Sequence, residues 1–300
     1  MNSIKLEQVC KQIGEFKLGP MNVAIPAGSS VAIIGDNGAG KSTLLKMIMG
    51  LAKEDSGHIQ LFDQDRILGD SSWKERIAYQ PQTVSGCSGL KGSEIKKLIA
   101  RFSSSFDEER FSHYVDKLNI PLNKRFDKLS QGVQKKLTLA LTLAQPQDLM
   151  IFDEPMAAID LMAQKLVIDE MVQLMDEHLE RTIIFTSHQL HDIRKFADYL
   201  LLIRQGEFLG MFEKDDLASK FTRYWLDKPL EQAIPYILTT SDDRREIISY
   251  KGNLTEQALH KSDIRIIRKA NVGLDETLPA ILSGELDLKN CHDQHYAGTI

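Results

Sequence analysis

The sequence predicts an α/β fold built on a mostly parallel sheet, and three observations carry the prediction. The apolar run Ser30-Val31-Ala32-Ile33-Ile34 passes through a glycine-rich turn into Leu44-Leu45-Lys46-Met47-Ile48-Met49, a strand, turn and helix in succession. Leu149 to Phe152 and Thr182 to Thr186 are further buried-strand runs, and each delivers polar residues at its C-terminal end. Helical periodicity fills the stretches between the strands, including a helical insert from Ser93 to about Leu118.

The totals are ordinary for a globular chain of 300 residues, with 42% hydrophobic and 26% charged. A net charge of -5 gives no general reason to bind nucleic acid or anionic lipid. No apolar run approaches the roughly 18 residues that a membrane span needs. Met1-Asn2-Ser3-Ile4-Lys5 lacks the pattern of a secretion signal. Cys10, Cys87 and Cys291 are too scattered for a disulfide framework or a zinc site. The expected setting is a reducing cytoplasm, and any membrane work would need another subunit to supply the spanning helices.

From the N-terminus, Ile4, Leu6 and Val9 mark a first strand and Met21 to Ile25 a second, with Gly14 to Gly19 as the loop between them. Phe16 in that loop either stacks on a purine base or packs under the hairpin. After the turn Pro26-Ala27-Gly28 comes Gly35-Asp36-Asn37-Gly38-Ala39-Gly40-Lys41-Ser42-Thr43, which has the spacing of a phosphate-binding P-loop. Its glycines let several backbone N–H groups point at one spot, and the following helix adds its positive end. Lys41 can reach terminal phosphate oxygens, and the Ser42 hydroxyl can ligate Mg²⁺. This reads as a nucleoside triphosphate site.

Downstream, Ser56 to Phe62 and Arg76 to Gln80 read as strands, and Gln82 stands just beyond the second, where its amide oxygen can touch Mg²⁺ or an attacking water. Ser85 to Gly89 reads as a hinge. In the insert, Ile95, Leu98, Ile99 and Phe102 recur at helical spacing, and Ser105 to Glu109 caps a second helix. Leu129-Ser130-Gln131-Gly132-Val133 opens a long helix with Ser130 as its N-cap, a place that also suits a phosphate. The run Leu149 to Phe152 ends in Asp153, suited to hold Mg²⁺, and Glu154, suited to polarise the water that attacks a γ-phosphate. His188 follows the run from Thr182, where its imidazole can register that phosphate.

In this order the residues resemble the nucleotide-binding subunits of ABC (ATP-binding cassette) transporters, from about Ile4 to Asp216. The resemblance rests on the P-loop, Gln82 as the Q-loop glutamine, Leu129 to Val133 as the signature and Leu149 to Glu154 as the Walker B strand with its acid. Ala158-Ile159-Asp160 matches the D-loop, and His188 the H-loop. It implies a P-loop NTPase cassette that binds ATP and Mg²⁺ and hydrolyses the ATP. It implies a head-to-tail pair, of identical or different cassettes, in which Ser130 and Gly132 act across the interface on the partner's γ-phosphate and Asp160 crosses near the opposite site. It also implies a separate polytopic membrane subunit, which holds the cassette at the inner face of the cell membrane; no nucleic-acid partner is expected.

Two departures stand out. Gln131 and Val133 replace the family's usual Gly and Gln in the signature, which implies weaker closure or slower hydrolysis. Ile13 occupies the position where an adenine-stacking aromatic is common, which implies either that Phe16 substitutes for it or that base selectivity is looser. The organisation read from the chain is a cassette over 1–217 with a helical part at about 84–144, a small α/β appendage over 218–290 and a disordered tail over 291–300. The appendage shows two strands (Glu246 to Tyr250, Ile264 to Ile267), two short helices (Leu254 to His260, Leu274 to Leu282) and little core of its own. Such tails are common in exporter-type cassettes, and the overall similarity is to antibiotic and bacteriocin exporters. The alternative is a soluble ABC-type ATPase that remodels a protein or nucleic acid. A single P-loop and the acidic balance count against it.

Overall fold

The computed structural model describes residues 1–66, 72–234, 236–286 and 288. The expected tail, Cys291 included, lies outside them. Strands β1 (Asn2–Ile13) and β2 (Phe16–Pro26) form a hairpin, followed by β3 (Ser30–Ile34) and α1 (Lys41–Ile48). Next come β4 (Ser56–Leu61), β5 (Gln64–Asp65) and β6 (Ile77–Gln80). Helices α2 (Gly92–Phe102), α3 (Glu108–Lys117) and α4 (Gln131–Leu143) lead to β7 (Leu149–Phe152). The chain continues through α5 (Leu161–Glu177), β8 (Thr182–Thr186), α6 (Leu190–Phe196), β9 (Tyr199–Arg204), β10 (Glu207–Glu213) and α7 (Lys214–Ser219). It closes with β11 (Thr222–Leu226), β12 (Ile237–Thr240), β13 (Glu246–Ser249), α8 (Gly252–Lys261), β14 (Ile266–Asn271) and α9 (Leu274–Ser283).

The central sheet has the order β10-β9-β3-β8-β7-β6. All its pairs are parallel except β9 with β10, so helices must cover its faces. Side chains alternate between two cores. Ala32, Met150, Phe152, Ile183 and Phe185 join α4 and α5 on one face. Val31, Ile33, Leu149, Ile151 and Ile184 join α1 and the antiparallel sheet β2-β1-β4-β5 on the other. Burial on both faces is why these strands read as continuous apolar runs.

Three expectations need correction. The loop from Gly14 to Gly19 is only a tight turn at Gly14 and Glu15, because Phe16 already pairs with Ile13 across the hairpin. The apolar stripe on α2 is not wholly internal: Ile95 is buried, but Leu98 is 47% and Phe102 84% exposed. The C-terminal region holds four strands, in the order β12-β13-β11-β14, where two were expected. In β11 the pattern was hidden by Arg223, which lies on the face opposite Tyr224 and Leu226 and pairs with Glu246 and Glu276. That sheet also has a core of its own: Tyr224, Leu226, Ile247 and Leu259 pack together on the α8 side. Its other face, through Ile248 and Val272, joins Leu217 and α9 in the large core.

Candidate functional site

Four strand ends meet on one edge of the central sheet. The registers set Gln80 beside Phe152, Phe152 beside Phe185, and Ile33 beside Thr186. The residues that follow therefore leave the sheet side by side: Gln82 after β6, Asp153 and Glu154 after β7, His188 after β8 and the P-loop after β3. In parallel sheets the carboxyl ends of the strands are where ligands bind.

Lys41 opens α1 with Gly40 as its N-cap. Gly40 has φ 108°, which a residue with a Cβ adopts only under strain, and a Cβ there would lie 3.1 Å from the Phe16 ring. Lys41 is 6% exposed, and its ammonium donates to Gly35 O at 2.7 Å and Asp36 O at 3.1 Å. Burial pushes its pKa below the usual lysine range, while the Glu154, Asp153 and Asp36 carboxylates pull the other way.

His188 Nε2 lies 3.3 Å from Lys41 Nζ and 3.1 Å from Glu154 Oε1. Which of these contacts Nε2 makes as acceptor and which as donor depends on the ring's tautomer. Gln82 Nε2 donates to Glu154 Oε2 at 3.0 Å. Lysine, histidine, glutamate and glutamine thus form one polar chain along the edge. Ser42, Thr43, Asn37, Gly38, Gln82, Glu154 and His188 line a single cavity of ≈ 630 Å³ with Ile13 and Phe16 at its wall. Phe16 is half-buried against Gly40, whereas Ile13 is 52% exposed.

Asp153 is 2% exposed, so its charge needs partners. Thr186 supplies one: its hydroxyl donates to Asp153 Oδ1 at 2.8 Å and accepts the Glu154 N–H at 2.7 Å. Glu154 itself has φ 50°, a left-handed conformation uncommon outside glycine. Ser42 and Gln82 bring oxygen donors to the cavity, and the buried Asp153 carboxylate, whose charge acts on Lys41, stands near its floor. That set fits a hard cation such as Mg²⁺.

Ser130, Gly132 and Asp160 stand elsewhere. None of them lines the P-loop cavity of its own chain. Ser130 caps α4 by accepting from Val133 N at 3.4 Å. A Cβ on Gly132 would lie 2.6 Å from the Ala158 carbonyl oxygen, which explains the glycine there. Asp160 caps α5, accepting from Ala163 N at 3.0 Å, and its carboxyl is held below the usual range by the Lys136 ammonium.

Thr186 and Lys135 escaped the sequence reading. Lys135 is 7% exposed, and its ammonium donates to Asp153 O at 2.9 Å. Burial pushes its pKa down to about 8 against the attraction of Asp153 and Glu154. The available signal was its place on α4: Thr138 and Thr142, three and seven residues on, continue the same buried face.

A family model for ABC transporters matches residues 18–157. A probable metal transport system ATP-binding protein of Chlamydia trachomatis is 34% identical over 199 residues, 61% of this chain and 72% of that protein. The chain belongs to the ABC transporter ATP-binding family. ABC transporter ATP-binding protein YtrB of Bacillus subtilis is 29% identical over 73% of the chain and 75% of its own length. Among solved structures, the ATP-binding subunit of an ABC transporter superposes with a TM-score of 0.65 at 23% identity, covering 71% of this chain and 91% of that one. A dimeric ATP-binding cassette bound to ADP and Pi superposes at 0.61 with 22% identity, over 70% and 98%. The protein is an ATP-binding, ATP-hydrolysing subunit of an ABC transporter.

Proposed function

We propose that this cassette is the motor of a separate membrane subunit and works by closing head to tail on a second cassette around two MgATP. One observation carries the reading. The P-loop edge is assembled within one chain, whereas Ser130 and Gly132 stand at a partly exposed helix start outside that chain's cavity. A helix N-terminus with no acid in its first turn suits a phosphate brought by another copy. Leu161 and Met162, 80% and 77% exposed immediately after Asp160, extend the same surface with apolar area suited to an interface.

In this scheme Lys41 and the P-loop N–H groups hold the terminal phosphates, and Phe16 packs against the base. Ser42, Asp153 and Gln82 hold Mg²⁺, which offsets phosphate charge when bound. Glu154 takes the proton of the attacking water, and His188, already between Lys41 and Glu154, moves its contact to the γ-phosphate. Asp160 exchanges its contact with Lys136 for one across the interface. Gln131 and Val133 make closure weaker or hydrolysis slower than in a cassette with the usual signature.

Among the described residues no helix is long and apolar enough to cross a membrane, so the scheme assigns the spanning helices to the partner. The exposed Leu98 and Phe102 on α2 give the helical insert an apolar face for its cytoplasmic segments, which would hold the cassette at the inner face of the membrane. The direction proposed is export, supported by the short α/β region that follows the cassette. Sedimentation of the Glu154→Gln variant tests the clamp: MgATP should convert monomer to dimer. A monomer at saturating MgATP, with no companion cassette restoring pairing, overturns it.

A further inference from the structure

The Asp153–Glu154 peptide plane is gripped from two sides. Its N–H, on Glu154, donates to Thr186 Oγ1 at 2.7 Å, which anchors it to the end of β8. Its carbonyl, on Asp153, accepts from Lys135 Nζ at 2.9 Å, which anchors it to the first turns of α4. Orientation of this plane sets φ of Glu154, and that angle is 50°, a conformation that persists only where the surroundings impose it. Lys135 reaches the carbonyl from the helix that Ser130 opens, just beyond the signature residue Val133. Beside the ammonium is a second cavity, ≈ 260 Å³, shared by Gln82, Gln131, Gln134, Thr138 and Glu154. Asp153 and Glu154 are the charged groups that act on it.

We infer that Lys135 is a positioning residue that ties the signature helix to the backbone carrying Glu154, so that movement of α4 turns the carboxylate toward or away from the attacking water. This rests on Glu154 being the group that activates the water. A helix that moves as a partner's nucleotide docks on Ser130 would pull on the Asp153 carbonyl through a buried, charge-assisted hydrogen bond. Thr186 holds the opposite side of the same plane still. The plane would then rotate rather than translate, and a small rotation at a catalytic carboxylate is costly to rate. Nothing in this coupling requires Lys135 to touch nucleotide, so affinity for ATP should not depend on it.

The test is steady-state ATP hydrolysis by the full chain in Lys135→Met, Lys135→Gln, Glu154→Gln and Lys135→Met/Glu154→Gln variants, with thermal unfolding recorded for each. Methionine keeps the stem and removes the donor, and glutamine restores an uncharged donor. We expect Lys135→Met to lower kcat about 10- to 100-fold with KM for MgATP unchanged, and Lys135→Gln to recover most of the loss. Added to Glu154→Gln, Lys135→Met should slow the residual rate no further. If Glu154→Gln keeps the wild-type rate, the reading of Glu154 falls and this inference with it. If Glu154→Gln is inactive while Lys135→Met stays within about twofold of wild type, the inference alone falls. It also falls if the Lys135→Met loss appears equally in KM, or if both donorless and donor-bearing variants lose rate in proportion to stability.

Discussion

The P-loop edge and the signature end are both helix N-termini, yet the chain treats them differently. At the P-loop edge, the ends of parallel strands bring Lys41, Gln82, Asp153, Glu154 and His188 together, and their polar groups answer one another within one chain. At the signature end, Ser130 does no more than cap its helix, Gly132 leaves room for the Ala158 carbonyl, and Asp160 is occupied by Lys136. The first region is assembled within one copy. The second, on the head-to-tail reading proposed above, is completed by another copy, and its polar groups meanwhile have local partners near the surface.

This contrast can be broken most forcefully at Lys41. The Lys41→Ala variant should lose ATP hydrolysis by about 10³-fold and bind ATP poorly even as a monomer, because the charge aimed at the terminal phosphates is gone. Isothermal titration with ATP and a phosphate-release assay check both halves of that statement. Gly132→Ala should act on the other region alone. Its methyl carbon must displace the Ala158 carbonyl 2.6 Å away, so hydrolysis should fall about tenfold while ATP binding by the monomer is unchanged. Loss of binding in that variant would mean the two regions are not separable within one chain.

Phe16→Ala sharpens the comparison on a smaller scale. The ring packs on Gly40 at the wall of the nucleotide cavity, so KM for ATP should rise about two- to tenfold and the preference for ATP over GTP should narrow. An unchanged KM would leave Phe16 as a packing residue only.

The smallest effect is on stability. Asp192 is 1% exposed, and one of its carboxylate oxygens has no hydrogen-bond partner, so burial raises its pKa. The folded chain then holds this proton more readily than the unfolded one. Its cost to stability is complete above the raised value and vanishes as pH falls below the unfolded value of 3.8. Asp192→Asn should therefore stabilise the protein by about 1 kcal/mol at pH 7, and the gain should shrink on acidification, as thermal unfolding across pH will show.

Much of this was readable in the chain. Continuous apolar runs identified β3, β7 and β8, since strands buried on both faces leave no polar alternation. The P-loop spacing and the acids after Phe152 announced phosphate chemistry, because glycine, lysine and carboxylate have few structural reasons to fall there. The C-terminal strands were harder. Arg223 interrupts β11, and its acidic partners Glu246 and Glu276 lie 23 and 53 residues away.

What the sequence by itself determined, then, is the type and order of the cassette's main elements and the P-loop that marks a nucleotide site, because these depend on local periodicity and residue chemistry. Tertiary structure alone decided which groups meet. The strand order β3-β8-β7-β6 makes His188 the neighbour of Lys41, 147 positions away. The same packing buries Lys135 against the Asp153 carbonyl and puts Leu98 and Phe102 in solvent. Local patterns record how apolar a position is, but whether a side chain meets a carbonyl, a carboxylate or water is set by elements that sequence distance does not rank.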